Sequence, residues 1–324
     1  MPAYNCERYI GGAIESILKQ EFTNFEFIVI NDGSSDNTAS IIKSYTDPRI
    51  RYSENPGNMG IVGTLNRGIS MATAPYIARM DADDVSYPER FTLQYQFMES
   101  HPEVAVCGAF LKVMDKEEIV RYPEQHDDIF YELLINNVIA HPVVMFRKSI
   151  WDKHQLQYQE NWFPAEDYML WVKFAHCGKL HNLQLPLLDY KIHEASISVS
   201  KKGLQNQKVT EIKCVHLLDS LKLYNEHNFT ILEQALSFRF SDTIAYVHQL
   251  NKLFKQIVEA NNNLLAFPKE NLEKLLSMYW YVACQKALRN GLKVLGVYTS
   301  NRLYNTPYFI KLILHYVSGL RKAS

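Results

Sequence analysis

Pro75-Tyr76-Ile77-Ala78-Arg79-Met80-Asp81-Ala82-Asp83-Asp84 is the stretch on which the fold turns. Its apolar start, Pro75-Tyr76-Ile77-Ala78, reads as a buried strand arriving from the core. Three carboxylates follow within four positions. Unpaired charge is prohibitive to bury, so these acids belong at the rim of a sheet. At such a rim, hard oxygen ligands can hold Mg2+ or Mn2+ against a phosphate. Taken alone, the stretch also reads as an acidic turn capping the helix that starts near Pro88. Its neighbours in the chain decide between the two.

Upstream, Phe25-Glu26-Phe27-Ile28-Val29-Ile30 is a short strand with no helical stripe. It runs into Asn31-Asp32-Gly33-Ser34-Ser35-Asp36-Asn37-Thr38, where Gly and Ser permit a tight turn. Asp36 or Ser35 can cap the helix that follows to Tyr45. Ile50-Arg51-Tyr52 is a second strand, Asn55-Pro56-Gly57-Asn58 a turn, and Gly60–Met71 a helix carrying Leu65 and Ile69. Before all of these, Met1-Pro2-Ala3-Tyr4-Asn5 has loop chemistry. A helix with Ile10, Ile14, Ile17 and Leu18 on one side follows it. This β-α-β-α-β rhythm implies a parallel sheet with helices on both faces. Ligands bind outside the carboxyl ends of strands in such sheets. Asp32 and Asp81 both lie just past strand ends, so two independent acids mark one rim.

Downstream, Phe91–Ser100 is helical, Val104–Met114 is β-prone, and Val143-Val144-Met145-Phe146 is a strand preceded by His141-Pro142. Ala165-Glu166-Asp167 opens a helix with Leu170, Trp171 and Phe174. Leu187–Ile192 is the last predicted strand and leads into a polar loop at His193. From Gln205 onward the chain reads as helix after helix, built on Leu217, Leu218, Leu221 and Leu223, then Leu250–Val258, then Leu272–Trp280. Lys201-Lys202-Gly203 is the predicted boundary, giving domains 1–200 and 201–324.

Composition bounds the function. The chain has 324 residues, 47% hydrophobic and 21% charged, which suits a globular chain of one large or two ordinary domains. A formal net charge of −1 gives no general pull toward nucleic acid. Cys6, Cys107, Cys177, Cys214 and Cys284 are scattered and odd in number, with no CxxC pair. That argues for reduced thiols, a cytoplasmic setting and no zinc site. No signal peptide and no apolar run long enough for a transmembrane helix is apparent. No acidic residue follows Glu273, so the tail is wholly basic.

Four motifs recur in order: Pro2-Ala3-Tyr4-Asn5, Asn31-Asp32-Gly33-Ser34-Ser35-Asp36, Asp81-Ala82-Asp83-Asp84 and Glu166-Asp167. Together they resemble the signature of family 2 glycosyltransferases with the GT-A fold, a Rossmann-like α/β fold. Asn66-Arg67-Gly68 and Tyr190–Ser198 also fit the pattern. The resemblance covers roughly residues 2–200 and stops before the helical region. It departs in one respect: the family has a strand before the Pro-Ala-Tyr-Asn loop, and here the chain starts inside that loop. The first strand is therefore expected to be missing.

The resemblance implies an inverting, metal-assisted transfer from a nucleoside diphosphate sugar, with UDP favoured, to a hydroxyl of a glycan or polyprenyl-linked acceptor. It assigns the metal to Asp83, as second acid of the DxD motif, with His193 completing the shell or touching the diphosphate. Asp81 faces the ribose or a metal-bound water. Asp84 either supports the metal ligands from behind or caps the next helix. Asp32 accepts hydrogen bonds from uracil or ribose, or else closes an Asx-turn. Ala3 and Asn5 line the same pocket through their backbones. Arg67 reaches a phosphate, or is a solvated helix charge. Asp167 is the general base, kept ionised by the helix N-terminus, and Glu166 touches acceptor or donor sugar. Trp162 can stack on a sugar ring, whereas Trp171 belongs to the core.

The tail alternates Tyr308-Phe309-Ile310, Leu312-Ile313-Leu314 and Tyr316-Val317 with Lys311, Arg321 and Lys322. This suits a helix lying peripherally on an anionic membrane, or one packed on the catalytic domain. Two other classes share some of these features. A sugar nucleotidyltransferase would want a glycine-rich basic loop near the N-terminus, and Pro2–Tyr9 is not one. An inactive nucleotide-sugar-binding module would have lost acids that are all present.

Overall fold

The computed structural model describes residues 1–114, 116, 118–192, 200–288, 291, 293–301, 303, 307–308 and 310–314. Two compact units are present, Met1–Lys208 and Val209–Ser324. The division falls beyond Lys201-Lys202-Gly203, because one unbroken helix, Lys202–Ser220, carries the chain across that point. Its first turns belong to the α/β unit. There, Gln205 Nε2 donates to Pro164 O at 3.1 Å, and the Lys208 ammonium lies 5.6 Å from the Trp162 ring centre.

The first unit opens with a three-stranded parallel sheet of Pro2–Ala3 (β1), Phe27–Asn31 (β2) and Ile50–Glu54 (β3). A strand therefore stands where the sequence reads as loop: Pro2 lies opposite Ile30 and Ala3 opposite Asn31. Two residues are too few to leave a periodic signal, and proline tolerates the first position of a strand. Helices Ile10–Leu18 (α1), Thr38–Lys43 (α2) and Gly60–Met71 (α3) connect and follow these strands.

A second, six-stranded sheet contains Tyr76–Ala78 (β4), Val85–Ser86 (β5), Val104–Val113 (β6), Ile119–Val120 (β7), Met145–Arg147 (β8) and Lys179–Tyr190 (β9). The order is β4-β8-β6-β9-β5, with β7 on the side of β6. The β6–β9 pair is parallel, and every other pairing in this sheet is antiparallel. Parallel geometry thus holds for the first sheet and one central pair. The regular rhythm that implied it ends at β4. Helices Arg90–Ser100 (α4), His126–Glu132 (α5), Lys148–Lys153 (α6) and Glu166–Ala175 (α7) complete the unit, and Lys202–Ser220 is α8.

The apolar stripe of α1, Ile10, Ile14 and Ile17, buries against Phe27 and Val29 of β2, Phe91 and Met98 of α4, and Cys107 and Ala109 of β6. A second, aromatic cluster joins β8, α6 and α7. Phe146 stacks on Trp151 at 5.6 Å, and Trp171 meets Phe174 at 6.1 Å. Trp171 is fully buried there, as its place on the helical stripe predicts.

The second unit is helical: α8 continues into it, followed by Glu226–Leu236 (α9), Ile244–Leu264 (α10), Lys269–Ala287 (α11) and Lys293–Thr299 (α12). Asn225 and Thr243 cap α9 and α10 through their side chains, which accept from Asn228 N and Tyr246 N. Leu250, Phe254, Ile257, Leu276 and Trp280 form the core seam. Trp280 is satisfied by Tyr298 O at 3.3 Å. Among the described residues no helix is long and apolar enough to cross a membrane. All of the tail after Leu314 lies outside the described residues. Of the part described, Leu312 is buried while Ile310 and Leu314 are exposed.

The loop after β2 has no room to spare. Gly33 has φ +72°, and a Cβ built there would sit 2.8 Å from the Gly57 carbonyl carbon and 2.9 Å from Asn58 N. Gly33→Ala is expected to destabilise the protein by about 2 kcal/mol in urea unfolding, from the strained φ and the backbone clash. Gly12→Ala, in α1 with nothing within 4 Å of its Cβ, should instead be neutral or stabilise by about 0.5–1 kcal/mol.

Candidate active site

Two loops meet at the carboxyl ends of β1 and β2 and lock together by side chains. Asn5, at φ +46°, uses Oδ1 to accept from Ser35 N at 2.9 Å, and its own N–H donates to Ser34 Oγ at 3.0 Å. Glu7 N donates to Asp36 Oδ2 at 3.1 Å, and Asp36 Oδ1 takes the first amide of α2, Thr38 N, at 3.0 Å. Ala3 is buried beneath them, its carbonyl accepting from Asp32 N at 2.8 Å. These short polar residues supply hydrogen bonds that the turn backbones cannot give each other.

Asp32 is 4% exposed. Its Oδ1 accepts from Asn55 Nδ2 at 2.6 Å and Met59 N at 2.8 Å. Its Oδ2 meets no donor among the described residues, so one carboxylate oxygen builds the loop and the other is available to a ligand. Arg67, on α3, stands behind this arrangement. Its guanidinium donates to Glu54 O at 2.9 Å, to Ser53 Oγ at 2.8 Å and to Asn55 Oδ1. It is neither reaching outward to a phosphate nor loosely solvated: it fixes Asn55, which fixes Asp32. Its neighbour Asn66 clasps a distant segment by both amide atoms, donating to Tyr158 O at 2.9 Å and accepting from Tyr158 N at 3.0 Å.

The acidic loop leaves β4 with a buried cation at its root. Arg79 is 7% exposed, and its Nη1 donates to the Asp81 carboxylate. Asp81, Asp83 and Asp84 each offer an oxygen within 4.8 Å of the others. Asp81 and Asp83 are half-buried, while Asp84 is fully buried. Asp84 Oδ1 accepts from Lys191 N at 2.8 Å, which ties the loop to the end of β9. It does not cap α4. Its Oδ2 is buried with no partner among the described residues. Burial, with the charges of Asp81 and Asp83, pushes its pKa up to about 9. A carboxyl in that state stays protonated at neutral pH unless a cation joins it. The donor set therefore fits a hard divalent ion.

Glu166 and Asp167 open α7. Asp167 is half-buried and accepts from Asn137 Nδ2 at 2.9 Å. The helix N-terminus was expected to hold Asp167 ionised. Burial outweighs it, and the Asp167 pKa is raised, although backbone amides, Arg79 and Asn137 all pull the other way. Glu166 is buried, with Oε2 unpartnered among the described residues. Burial, then the charge of Asp167, lifts its pKa to about 7. Carboxyls raised in this way are stronger bases once ionised.

These two groups of acids share one electrostatic neighbourhood. Glu166 feels the charge of Asp81, and Arg79 acts on Asp81, Asp84, Glu166 and Asp167 alike. Tyr158, buried beside them, bonds His141 Nε2 through its hydroxyl at 2.7 Å. Reading the sequence for acids missed Arg79, Tyr158 and Asn137. The one signal for Arg79 was a charged residue inside an otherwise apolar strand run. His193 lies outside the described residues, as does most of Tyr190–Ser198.

Comparison with known proteins identifies the family. The family model described as glycosyl transferase family 2 matches residues 1–157. An uncharacterized glycosyltransferase of Haemophilus influenzae is 32% identical over 65% of this chain and 70% of its own length. The O-antigen biosynthesis glycosyltransferase WbnJ of Escherichia coli is 33% identical over 62% of this chain and 81% of its own. In three dimensions, Staphylococcus aureus TarS 1–349 in complex with UDP-GlcNAc superposes with a TM-score of 0.61 at 21% identity, covering 92% of this chain and 90% of that one. The shared fold, with relatives this similar over most of their length, makes the chain a member of glycosyl transferase family 2 and an enzyme of that class.

Proposed function

We propose that this glycosyltransferase takes its sugar from a nucleoside diphosphate sugar, UDP-linked in the first instance. It passes the sugar, with inversion, to a hydroxyl of a glycan or polyprenyl-linked saccharide. The observation that carries this reading is one buried guanidinium, Arg79, that bonds Asp81 and acts electrostatically on Asp84, Glu166 and Asp167. A donor needs charge control at its diphosphate and an acceptor needs a base, and acids of these two kinds supply both. The names of the relatives add O-antigen and amylovoran biosynthesis as settings in which such chains act. TarS, of the same fold, has been crystallised with UDP and with UDP-GlcNAc.

The nucleoside would lie against Ala3, Asn5 and Asp32, with Asp32 Oδ2 accepting from base or ribose. Asp83 would hold Mn2+ or Mg2+ with Asp81 and Asp84 beside it. A bound cation would neutralise charge on the departing diphosphate. Asp167 serves as base. The acceptor oxygen bonds to the anomeric carbon as the bond from that carbon to the diphosphate oxygen breaks. The acceptor proton passes to Asp167, and UDP leaves with the bonding pair. One base and one displacement give inversion. Glu166, buried next to the base, would face donor or acceptor sugar. A basic tail helix resting on an anionic membrane surface would suit a polyprenyl-linked acceptor, with catalysis on its cytoplasmic side.

A panel of UDP-sugars with Mn2+ should reveal one donor from which UDP is released, and NMR of the product should show the opposite anomeric configuration. Asp167→Asn should lower kcat by about 10²–10⁴-fold with little change in donor binding; a variant that keeps wild-type kcat removes Asp167 as base. Mn2+ should raise the melting temperature of the wild type and leave Asp83→Asn unmoved. Glu166 gives a pH test. Its folded pKa of about 7 lies above the ordinary value of 4.5, so the folded chain keeps a proton that the unfolded chain releases between these values. Stability from this group is therefore lost as pH rises through that window. Glu166→Gln should melt higher than wild type at pH 8 and at the same temperature as wild type at pH 4.

A further inference from the structure

The segment that follows α5 meets α7 at three places. At its start, the buried Tyr168 hydroxyl donates to Leu133 O. At its end, the His141 ring stands edge-on to Trp171, with ring centres 5.8 Å apart. Between them, Asn137 Nδ2 donates to Asp167 Oδ2 at 2.9 Å. The first two contacts belong to the core, where Leu133, Ile139, Tyr168 and Trp171 are buried. The third does not. Asn137 is half-buried and follows the exposed pair Ile135-Asn136. A polar side chain beside such a tip can be satisfied by water, yet this one is spent on a carboxylate.

Its orientation is decided on both sides. Asn137 Oδ1 accepts from Ile139 N at 3.3 Å, so the amide NH2 points the other way, at Asp167. Turned over, the amide would set oxygen against carboxylate and NH2 against N–H. The backbone beneath it is fixed from the large sheet. Asn182 of β9 is fully buried, and its Nδ2 donates to Val138 O at 3.1 Å and to Pro123 O at 2.8 Å. Gly108 of β6 leaves room for it, since a Cβ there would collide with Asn182 Oδ1. A line of contacts thus runs from β6 through Asn182, Val138 and Asn137 to Asp167.

We infer that Asn137 is a positioning residue for the base: held by Ile139 N and by the Asn182 anchor, it fixes the plane of the Asp167 carboxylate. This rests on the reading of Asp167 as base. The last torsion of an aspartate is broad, so a carboxylate with neither oxygen bonded turns freely. A bond to Oδ2 from an amide that is itself clamped removes that freedom. Misplacing a reacting group by about 1 Å costs about 10²-fold in rate. The contact therefore acts on kcat and leaves donor binding alone.

Exchanging the two side chains tests the contact without reference to activity. Wild type, Asn137→Asp, Asp167→Asn and the double variant are melted at pH 8 without metal or donor. Asn137→Asp keeps an oxygen for Ile139 N but sets two carboxyl groups face to face, and should melt lower than wild type. The double variant restores one donor and one acceptor in reverse order. Asp167→Asn should therefore raise the melting temperature more in the Asn137→Asp background than in wild type. Additive changes overturn the inference. If Asn137→Asp does not fold, the double variant should fold; failure of both overturns it as well. With the donor found by UDP release, Asn137→Asp and Asn137→Leu should each lower kcat by about 10–10²-fold and keep donor KM within about twofold. In the Asp167→Asn background, Asn137→Leu should lower kcat no further. Wild-type kcat in Asn137→Asp, the outcome for a side chain that serves only Ile139 N, overturns the inference. So does a full additional loss in the Asp167→Asn background. If Asp167→Asn itself keeps wild-type kcat, the base reading falls, while the melting cycle still decides the contact.

Discussion

Holding several carboxyl groups at the edge of a folded core without unfolding it is the constraint on which this structure depends. Unpaired acids repel one another and resist leaving water. The fold meets this in graded ways. Asp32 gives one oxygen to Asn55 and Met59 N and presents the other. Asp84 is buried outright and secured to the amide of Lys191. Asp81 has a guanidinium. Glu166 and Asp167 stay basic at the cost of raised proton affinities. The same crowding raises the proton affinities of Asp84, Glu166 and Asp167.

Scaffold and chemistry are consequently hard to separate. Arg67 bonds Asn55, and Asn55 bonds Asp32, so the carboxylate is aimed from behind. Asn5 and Ser34 look like ordinary loop residues until their hydrogen bonds show two turns knitted into one wall. Residues at a strand's carboxyl end act in pairs here, one facing outward and one holding it.

Much of this was legible in the sequence because strand runs and acidic turns announce themselves by residue type and spacing. The β2, β4 and α7 elements, and the acids beyond them, could be placed from pattern alone. What escaped has physical reasons. A two-residue strand such as β1 has no period. The antiparallel pairings of the large sheet depend on β6, β8 and β9 meeting across long separations that no local signal encodes. The upward shift of Asp167 was not visible because a helix N-terminus can be read in sequence whereas burial cannot. Arg79 was overlooked because a lone arginine in an apolar run is informative only once its neighbours in space are known. At Lys201-Lys202-Gly203 a lysine-glycine step interrupts composition, yet the helix Lys202–Ser220 begins there.

The clasp between Asn66 and Tyr158 has a mechanical meaning. A side-chain amide bonded to both backbone groups of one residue mimics a rung of strand pairing, across 92 positions of chain. It joins α3 to the segment that leads into α7. Thermal motion that parts these two elements must break that rung or carry both along, so helix and segment move as one piece.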